Sequence, residues 1–214
     1  MAPDEGGKHP GSLGEGWAHI CVDMQRMFAE QTEWFTPWME KVRPVVRRIA
    51  EAFPERTIFT RFLPADRPGQ GAGTWKSYYE RWASMTIERL GRERVELVPE
   101  LAALVPPAEV VDKRVYSPWM TTDLETRLRA RRITTLVVSG AETDVCVLAT
   151  VLGAVDKGYR VIVVTDALCS SSDETHDALL RLYQGRYGQQ VETAKAEEVV
   201  GTLRTWQRSR RPLP

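Results

Sequence analysis

The run VVSGAETDVCV (137–147) holds the residue types that could do covalent chemistry. Leu136-Val137-Val138 reads as an apolar strand, Ser139-Gly140 as the entry to a turn, and a helix is expected from Thr143. That places Cys146 in the first turn of a helix, where unpaired backbone N–H groups and a partial positive charge favour an anion. A thiol there is expected to ionise below the ~8.5 of a free cysteine. The same N–H groups could hold an oxyanion developing on a substrate carbonyl. Taken alone, the cysteine reads better as a small apolar core residue. Cys21 lies in the apolar run His19-Ile20-Cys21-Val22 and reads as core, and Cys169 follows a strand end, where it could line a core, a loop or a pocket.

The elements that must position Cys146 alternate. Strands are expected at 17–22, 57–62, 108–112, 133–138, 160–165 and 190–193. Helices are expected at 38–53, 75–90, 122–131, 143–157, 172–187 and 196–207, with Gly158 closing the fourth and a capping arrangement opening the fifth. Residues 63–74, with two Pro and three Gly, read as a long loop. Strands alternating with helices predict an α/β fold: a three-layer α/β/α sandwich around a six-stranded, mostly parallel, Rossmann-like sheet. Such sheets bind ligands beyond the carboxyl ends of their strands. Asp23 stands at the first of those ends, Lys113 after the third and Cys146 after the fourth, with Arg61 and Asp166 at others. An acid, an ammonium and a thiol on one edge form a plausible catalytic set, although separately each has a bland reading as a cap, a solvated lysine or a packed thiol. The three histidines (His9, His19, His176) are poorly placed for a Cys-His pair, so a carboxylate must take the thiol proton.

Composition bounds the alternatives. The 214 residues suit one domain with a substantial core, expected over 17–207. Residues 1–16, rich in Gly and Pro, read as a disordered lead-in rather than a secretory signal, and 208–214 as a flexible tail. Lys+Arg and Asp+Glu are both 29, so no charge excess points to nucleic acid or a membrane surface, and no segment is apolar enough to span a bilayer. Three cysteines without a CxxC spacing argue against a disulfide scaffold and for a reducing cytoplasm.

Three segments in order resemble one family. Ile20–Met27 (ICVDMQRM), Val111–Leu124 (VDKRVYSPWMTTDL) and 137–147 are similar to the strand–Asp–x–Gln, Lys and Gly-x-x-Thr-x-x-Cys-Val motifs of the isochorismatase-like cysteine hydrolases, which include nicotinamidases and N-carbamoylsarcosine amidase. The resemblance covers roughly residues 20–200. It implies Cys146 as nucleophile, Asp23 as general base and Lys113 as electrostatic partner. It also implies a cis Ala141–Glu142 peptide and an oxyanion hole from the Glu142 and Cys146 N–H groups. The activity implied is hydrolysis of a C–N bond in a small amide, ureido or carbamoyl substrate through a thioester.

The chain departs from the nicotinamidases after the second strand, where Asp66 is followed by no histidine. No metal or other cofactor is therefore expected, and a ureido, carbamoyl or simple amide substrate is favoured over nicotinamide. Gln25, Arg61, Tyr116 and Trp119 are the expected substrate-binding residues: Arg61 for a carboxylate, Trp119 for stacking or shielding. Trp75, Tyr78, Tyr79 and Trp82 fall at helical spacing and mark the candidate subunit contact of a homo-oligomer, a dimer or tetramer as the family implies. Three readings compete: a vinyl-ether hydrolase, whose family members lack the cysteine; a non-catalytic small-molecule-binding protein; and a redox protein pairing Cys146 with Cys169.

Overall fold

A computed structural model describes residues 13–209, with side chains to 203. The expected lead-in thus lies outside the described residues up to position 12. Leu13, however, is buried in the core, and the Gly16 carbonyl accepts the N–H groups of Thr134 and Thr135. Of the expected tail, 210–214 lies outside the described residues, while 208 and 209 close the last helix.

Six strands, β1 (Trp17–Val22), β2 (Thr57–Phe62), β3 (Glu109–Lys113), β4 (Thr135–Ala141), β5 (Arg160–Cys169) and β6 (Val191–Ala194), form one sheet in the order β3-β2-β1-β4-β5-β6. Every pairing is parallel. The order reverses between β1 and β4, the crevice where such sheets place ligands.

The apolar strands split their side chains between two layers. Trp17, Cys21, Phe59 and Ile162 pack against helices α1 (Met39–Ala52) and α6 (Ala196–Ser209). Ile20, Ile58, Val138 and Val163 pack against α3 (Leu124–Ala130), α4 (Leu148–Asp156) and α5 (Asp173–Gln184). Covering both faces is what allows β1 and β4 to be buried along their whole length. Among the described residues no helix is long and apolar enough to cross a membrane.

Four expectations about the elements are corrected. The helix expected over 75–90 is broken into α2 (Thr74–Arg81), a tight turn at Ala83–Met85 and a short helix at Ile87–Leu90. The loop before it competes for backbone: Ile87 and Glu88 donate their N–H groups to the Ala65 and Asp66 carbonyls. Lys113 is the last residue of β3 rather than the first beyond it. β5 continues past Thr165 to Cys169, through a register irregularity against β4. Finally, α4 is preceded by a π-helical turn, Thr143–Val147, in which the Val147 N–H reaches the Glu142 carbonyl at 3.0 Å.

Candidate active site

The crevice forms because β1 and β4 approach closely at their carboxyl ends. Gly140, at φ +115°, sits so near β1 that a β-carbon there would lie 2.1 Å from the Val22 carbonyl oxygen. β1 then ends in Asp23, whose φ of +48° lies in the left-handed region that aspartate tolerates better than most residues. The turn is pinned from both sides. The Asp23 N–H meets the Thr60 carbonyl and hydroxyl, both at 3.2 Å, and the Asp23 carbonyl accepts the Gln25 N–H at 2.8 Å.

Gln25 is fully buried, and its amide is consumed by backbone. It donates to the Phe62 and Val95 carbonyls at 2.9 and 2.6 Å and accepts the Phe62 N–H at 2.7 Å. The expectation of a substrate contact is corrected: this side chain straps the Asp23 turn to the end of β2.

β3 is separated from β1 by β2, a gap of about 10 Å between backbones. The Lys113 side chain, wholly buried, reaches across it. Its ammonium stands 2.6 Å from Asp23 Oδ2, 3.3 Å from Cys146 Sγ and 5.0 Å from the centre of the Phe62 ring. The other carboxylate oxygen, Asp23 Oδ1, accepts the Thr60 hydroxyl at 2.6 Å. Thr60 carried no signal of its own in the sequence; only its strand position beside Asp23 would have pointed to it. The three residues expected to converge therefore meet, with Lys113 bonded to both of the others.

Burial works against the Lys113 ammonium, but Asp23 and then Cys146 outweigh it and hold the ammonium above its ordinary range. Cys146 is 6% exposed. Burial is the main influence on its thiol and pushes it up, the Lys113 ammonium draws it down, and the Asp23 carboxylate adds to the rise. The expectation of a thiol ionised by its helix position is corrected, because desolvation of a thiolate outweighs the favourable end of one turn. The resting arrangement is a neutral thiol beside an aspartate–lysine ion pair.

The Ala141–Glu142 peptide just before this turn is cis. The Glu142 side chain turns toward β5, its Oε1 accepting the Ser171 N–H at 3.1 Å, and burial raises its carboxyl above the usual range. Cys169 faces the opposite layer of the sheet from Cys146, and all three cysteines are free. This removes the Cys146–Cys169 redox pair.

The remaining expected binding residues divide. Tyr116 packs edge-on to Trp75 at 4.9 Å, and its hydroxyl feels the charges of Cys146, Glu142 and Lys113, so it borders the crevice. Arg61 and Asp112 are register partners on the face away from Lys113. The guanidinium grips Asp112 at 2.7 and 2.9 Å and also bonds Glu96, so it is already neutralised and turned away. Trp119 stacks on Tyr159 at 5.7 Å and donates Nε1–H to the Thr150 carbonyl at 2.9 Å. It fills the space left by Gly153, where a β-carbon would come within 2.2 Å of the ring. Both expectations of substrate contact are corrected to packing. The stripe on α2 also turns inward: Trp75, Tyr78 and Trp82 join Trp34 and Phe62 in one aromatic cluster beside the crevice, and Tyr79 is buried.

Comparison with known proteins agrees with this architecture. A family model described as the Isochorismatase domain matches residues 17–195. An uncharacterized isochorismatase family protein of Bacillus subtilis is 30% identical over 160 residues, spanning 75% of this chain and 84% of that protein. A ureidoacrylate amidohydrolase of Methylobacterium radiotolerans is 36% identical over 205 residues, spanning 85% and 78%. The crystal structure of a cysteine hydrolase from Pseudomonas syringae superposes with a TM-score of 0.75 at 25% identity, covering 92% of this chain and 95% of that one.

Proposed function

The chain belongs to the isochorismatase-domain family, and on that premise we propose that it is a cysteine-dependent amidohydrolase acting on a small amide, ureido or carbamoyl substrate. One observation carries the reading: a buried ammonium bonded at once to a carboxylate and to the sulfur of the residue that opens the helix after β4. A structural ion pair has no need of the thiol, and a structural thiol has no need of the pair.

The chemistry follows from the arrangement. Because burial keeps the Cys146 thiol protonated, the nucleophile must be made on demand. Asp23 takes the proton as Sγ attacks the carbonyl carbon. Lys113 holds the Asp23 carboxylate in place and stabilises negative charge as it moves between oxygen and sulfur. The Glu142 and Cys146 N–H groups receive the oxyanion of the tetrahedral intermediate. Protonated Asp23 returns its proton to the departing nitrogen, which leaves as ammonia or an amine, and a thioester remains. Water, deprotonated by Asp23, then cleaves the thioester and restores the thiol. Thr60 holds one carboxylate oxygen and Lys113 the other, so the carboxylate is oriented before the proton moves.

Screening wild type, C146A and C146S for ammonia release from a panel of amides, ureides and carbamoyl compounds tests this. Wild type turns over at least one compound, both variants fold with unchanged circular dichroism, and both lose activity by about 10⁴-fold or more. Comparable turnover by C146A would remove the thiol from the reaction, and vinyl-ether cleavage surviving in C146A would favour that alternative.

A further inference from the structure

β4 and β5 end level with each other, Ala141 beside Cys169, and their backbone pairing stops there. Side chains continue it. Each of the next three residues on the β4 side, which lead into the Cys146 turn, is bonded to the chain leaving β5. Glu142 Oε1 accepts the Ser171 N–H at 3.1 Å, Asp144 Oδ1 accepts the Ser170 hydroxyl, and Thr143 Oγ1 donates to the Cys169 carbonyl at 3.1 Å. Thr143 has one contact more: Nδ1 of His176, from the start of α5, lies 2.8 Å from the same oxygen. Among these partners His176 alone brings a helix to bear on the turn.

The direction of that bond follows from the proton count. A carbonyl only accepts, so the single Thr143 hydroxyl proton goes to Cys169, and His176 donates its Nδ1–H. The helix behind the imidazole is fixed independently of Thr143. The Ser172 hydroxyl oxygen caps it by accepting the Thr175 N–H at 3.3 Å, and the His176 N–H meets the Ser172 carbonyl at 3.1 Å. Thr143 is fully buried and opens the π-helical turn, so a displaced Thr143 side chain displaces the turn that carries Cys146.

His176 itself is half-buried and lines a cavity of about 230 Å³ with Trp38, Leu168, Asp173 and Asp177. With the imidazole removed, water in that cavity can reach the Thr143 hydroxyl. Water replaces a hydrogen bond at nearly the same energy, but it is not anchored to a helix. Stability and geometry therefore come apart at this position.

We propose that His176 is a positioning residue for the reaction: by donating from a capped helix to Thr143, it fixes the turn that holds the Cys146 sulfur against Lys113 and Asp23. Sγ lies 3.3 Å from the Lys113 ammonium, and a misplacement of about 1 Å at such a centre costs about 100-fold in rate. This rests on the amidohydrolase reading above and adds a residue that acts through Thr143.

Two measurements test it separately from that reading. The first compares H176A, H176N and T143V with wild type on a compound that wild type hydrolyses, since the Asn amide places an N–H near the position of Nδ1. H176A lowers kcat by about 10- to 100-fold, leaves KM within about threefold and melts within about 4 °C of wild type. H176N recovers most of the loss, and H176A/T143V is no slower than T143V, because both substitutions break one contact. Unchanged kcat in H176A, a loss carried by KM, H176N as slow as H176A, or full additivity of H176A and T143V would each overturn the assignment. The second needs no turnover: alkylation of Cys146 by iodoacetamide at pH 9, followed by peptide mass. The Lys113 ammonium draws the thiol toward ionisation, so a turn displaced from it alkylates more slowly, by about threefold or more in H176A, with the wild-type rate restored in H176N. An equal or faster rate in H176A sinks His176 as the support of the turn even if amides are hydrolysed. Slower alkylation in H176A alongside no ammonia release from any compound by wild type keeps the support and sinks the amidohydrolase reading.

Discussion

Two ion pairs start one residue apart on β3 and behave as opposites. Lys113 and Asp112 are neighbours on β3, but their side chains leave opposite faces of the sheet. Lys113 meets Asp23 in a pocket where neither side chain has any exposure. Asp112 meets Arg61 where the side chains are 39% and 21% exposed, with Glu96 as a second partner. The exposed pair has near-ideal bidentate geometry, yet it can contribute little because water already solvates both charges. The buried pair is costly to assemble and ruinous to break, since removing one charge leaves the other stranded. An arrangement of that kind is retained for what it does to the thiol beside it rather than for net stability.

Breaking the buried pair is accordingly the largest effect expected. K113M leaves the Asp23 carboxylate buried without its cation and should cost about 3–5 kcal/mol of stability, with activity reduced by about 10³-fold or more. D23N/K113M, which removes both charges while keeping a residue that tolerates the left-handed turn, should recover most of the stability and none of the activity. Chemical denaturation of the three proteins measures this, and a double variant no more stable than K113M would contradict it. The pH dependence follows from the raised Lys113 value. A group whose folded pKa is raised contributes in full below its unfolded value, about 10.4 for lysine, and loses that contribution as pH climbs through the higher folded value. The contribution of Lys113 to wild-type stability should therefore persist from pH 6 to 9 and fade only in strong alkali.

The supports around the buried pair come next. Q25A removes three buried hydrogen bonds and leaves the Phe62 and Val95 groups unsatisfied. At about 1–3 kcal/mol for an unpaired buried group, the expected loss is about 3 kcal/mol after relaxation. T60V conserves shape but deletes the hydroxyl bonded to Asp23 Oδ1, which should cost about 1.5–3 kcal/mol, the range for a hydrogen bond to a charged group. T60V should lower kcat more than it raises KM, because the carboxylate loses its orientation while the aromatic cluster beside the crevice is untouched. A pure KM effect would move Thr60 from positioning Asp23 to contacting substrate.

How much of this was legible in the sequence follows the same division. The strand ends were readable, because buried parallel strands are continuous apolar runs bounded by polar residues. That alone brought Asp23, Lys113 and Cys146 to one edge. Which way a strand-end side chain points was not readable, because a strand buried on both faces shows no alternation to fix its parity. Arg61 looked like a pocket residue for that reason, while Thr60, one position earlier, is the one that meets Asp23. Gln25 was misassigned because its partners lie 37 and 70 residues away. The thiol was expected to be ionised because a helix start is a local feature, whereas its desolvation is set by the whole fold.

The exposed pair supplies the smallest effect and the sharpest contrast. R61A loses the bidentate contact to Asp112 and the bond to Glu96, both at the surface. Expected destabilisation is at most about 1 kcal/mol, with kcat and KM for any substrate within about twofold of wild type. Raising the salt concentration to about 0.5 M should erase most of that small difference, since ions screen exposed charges, while the K113M penalty stays, because ions do not enter a buried site. A loss in R61A as large as that in K113M, or one confined to substrates carrying a carboxylate, would mean that Arg61 swings inward when substrate binds.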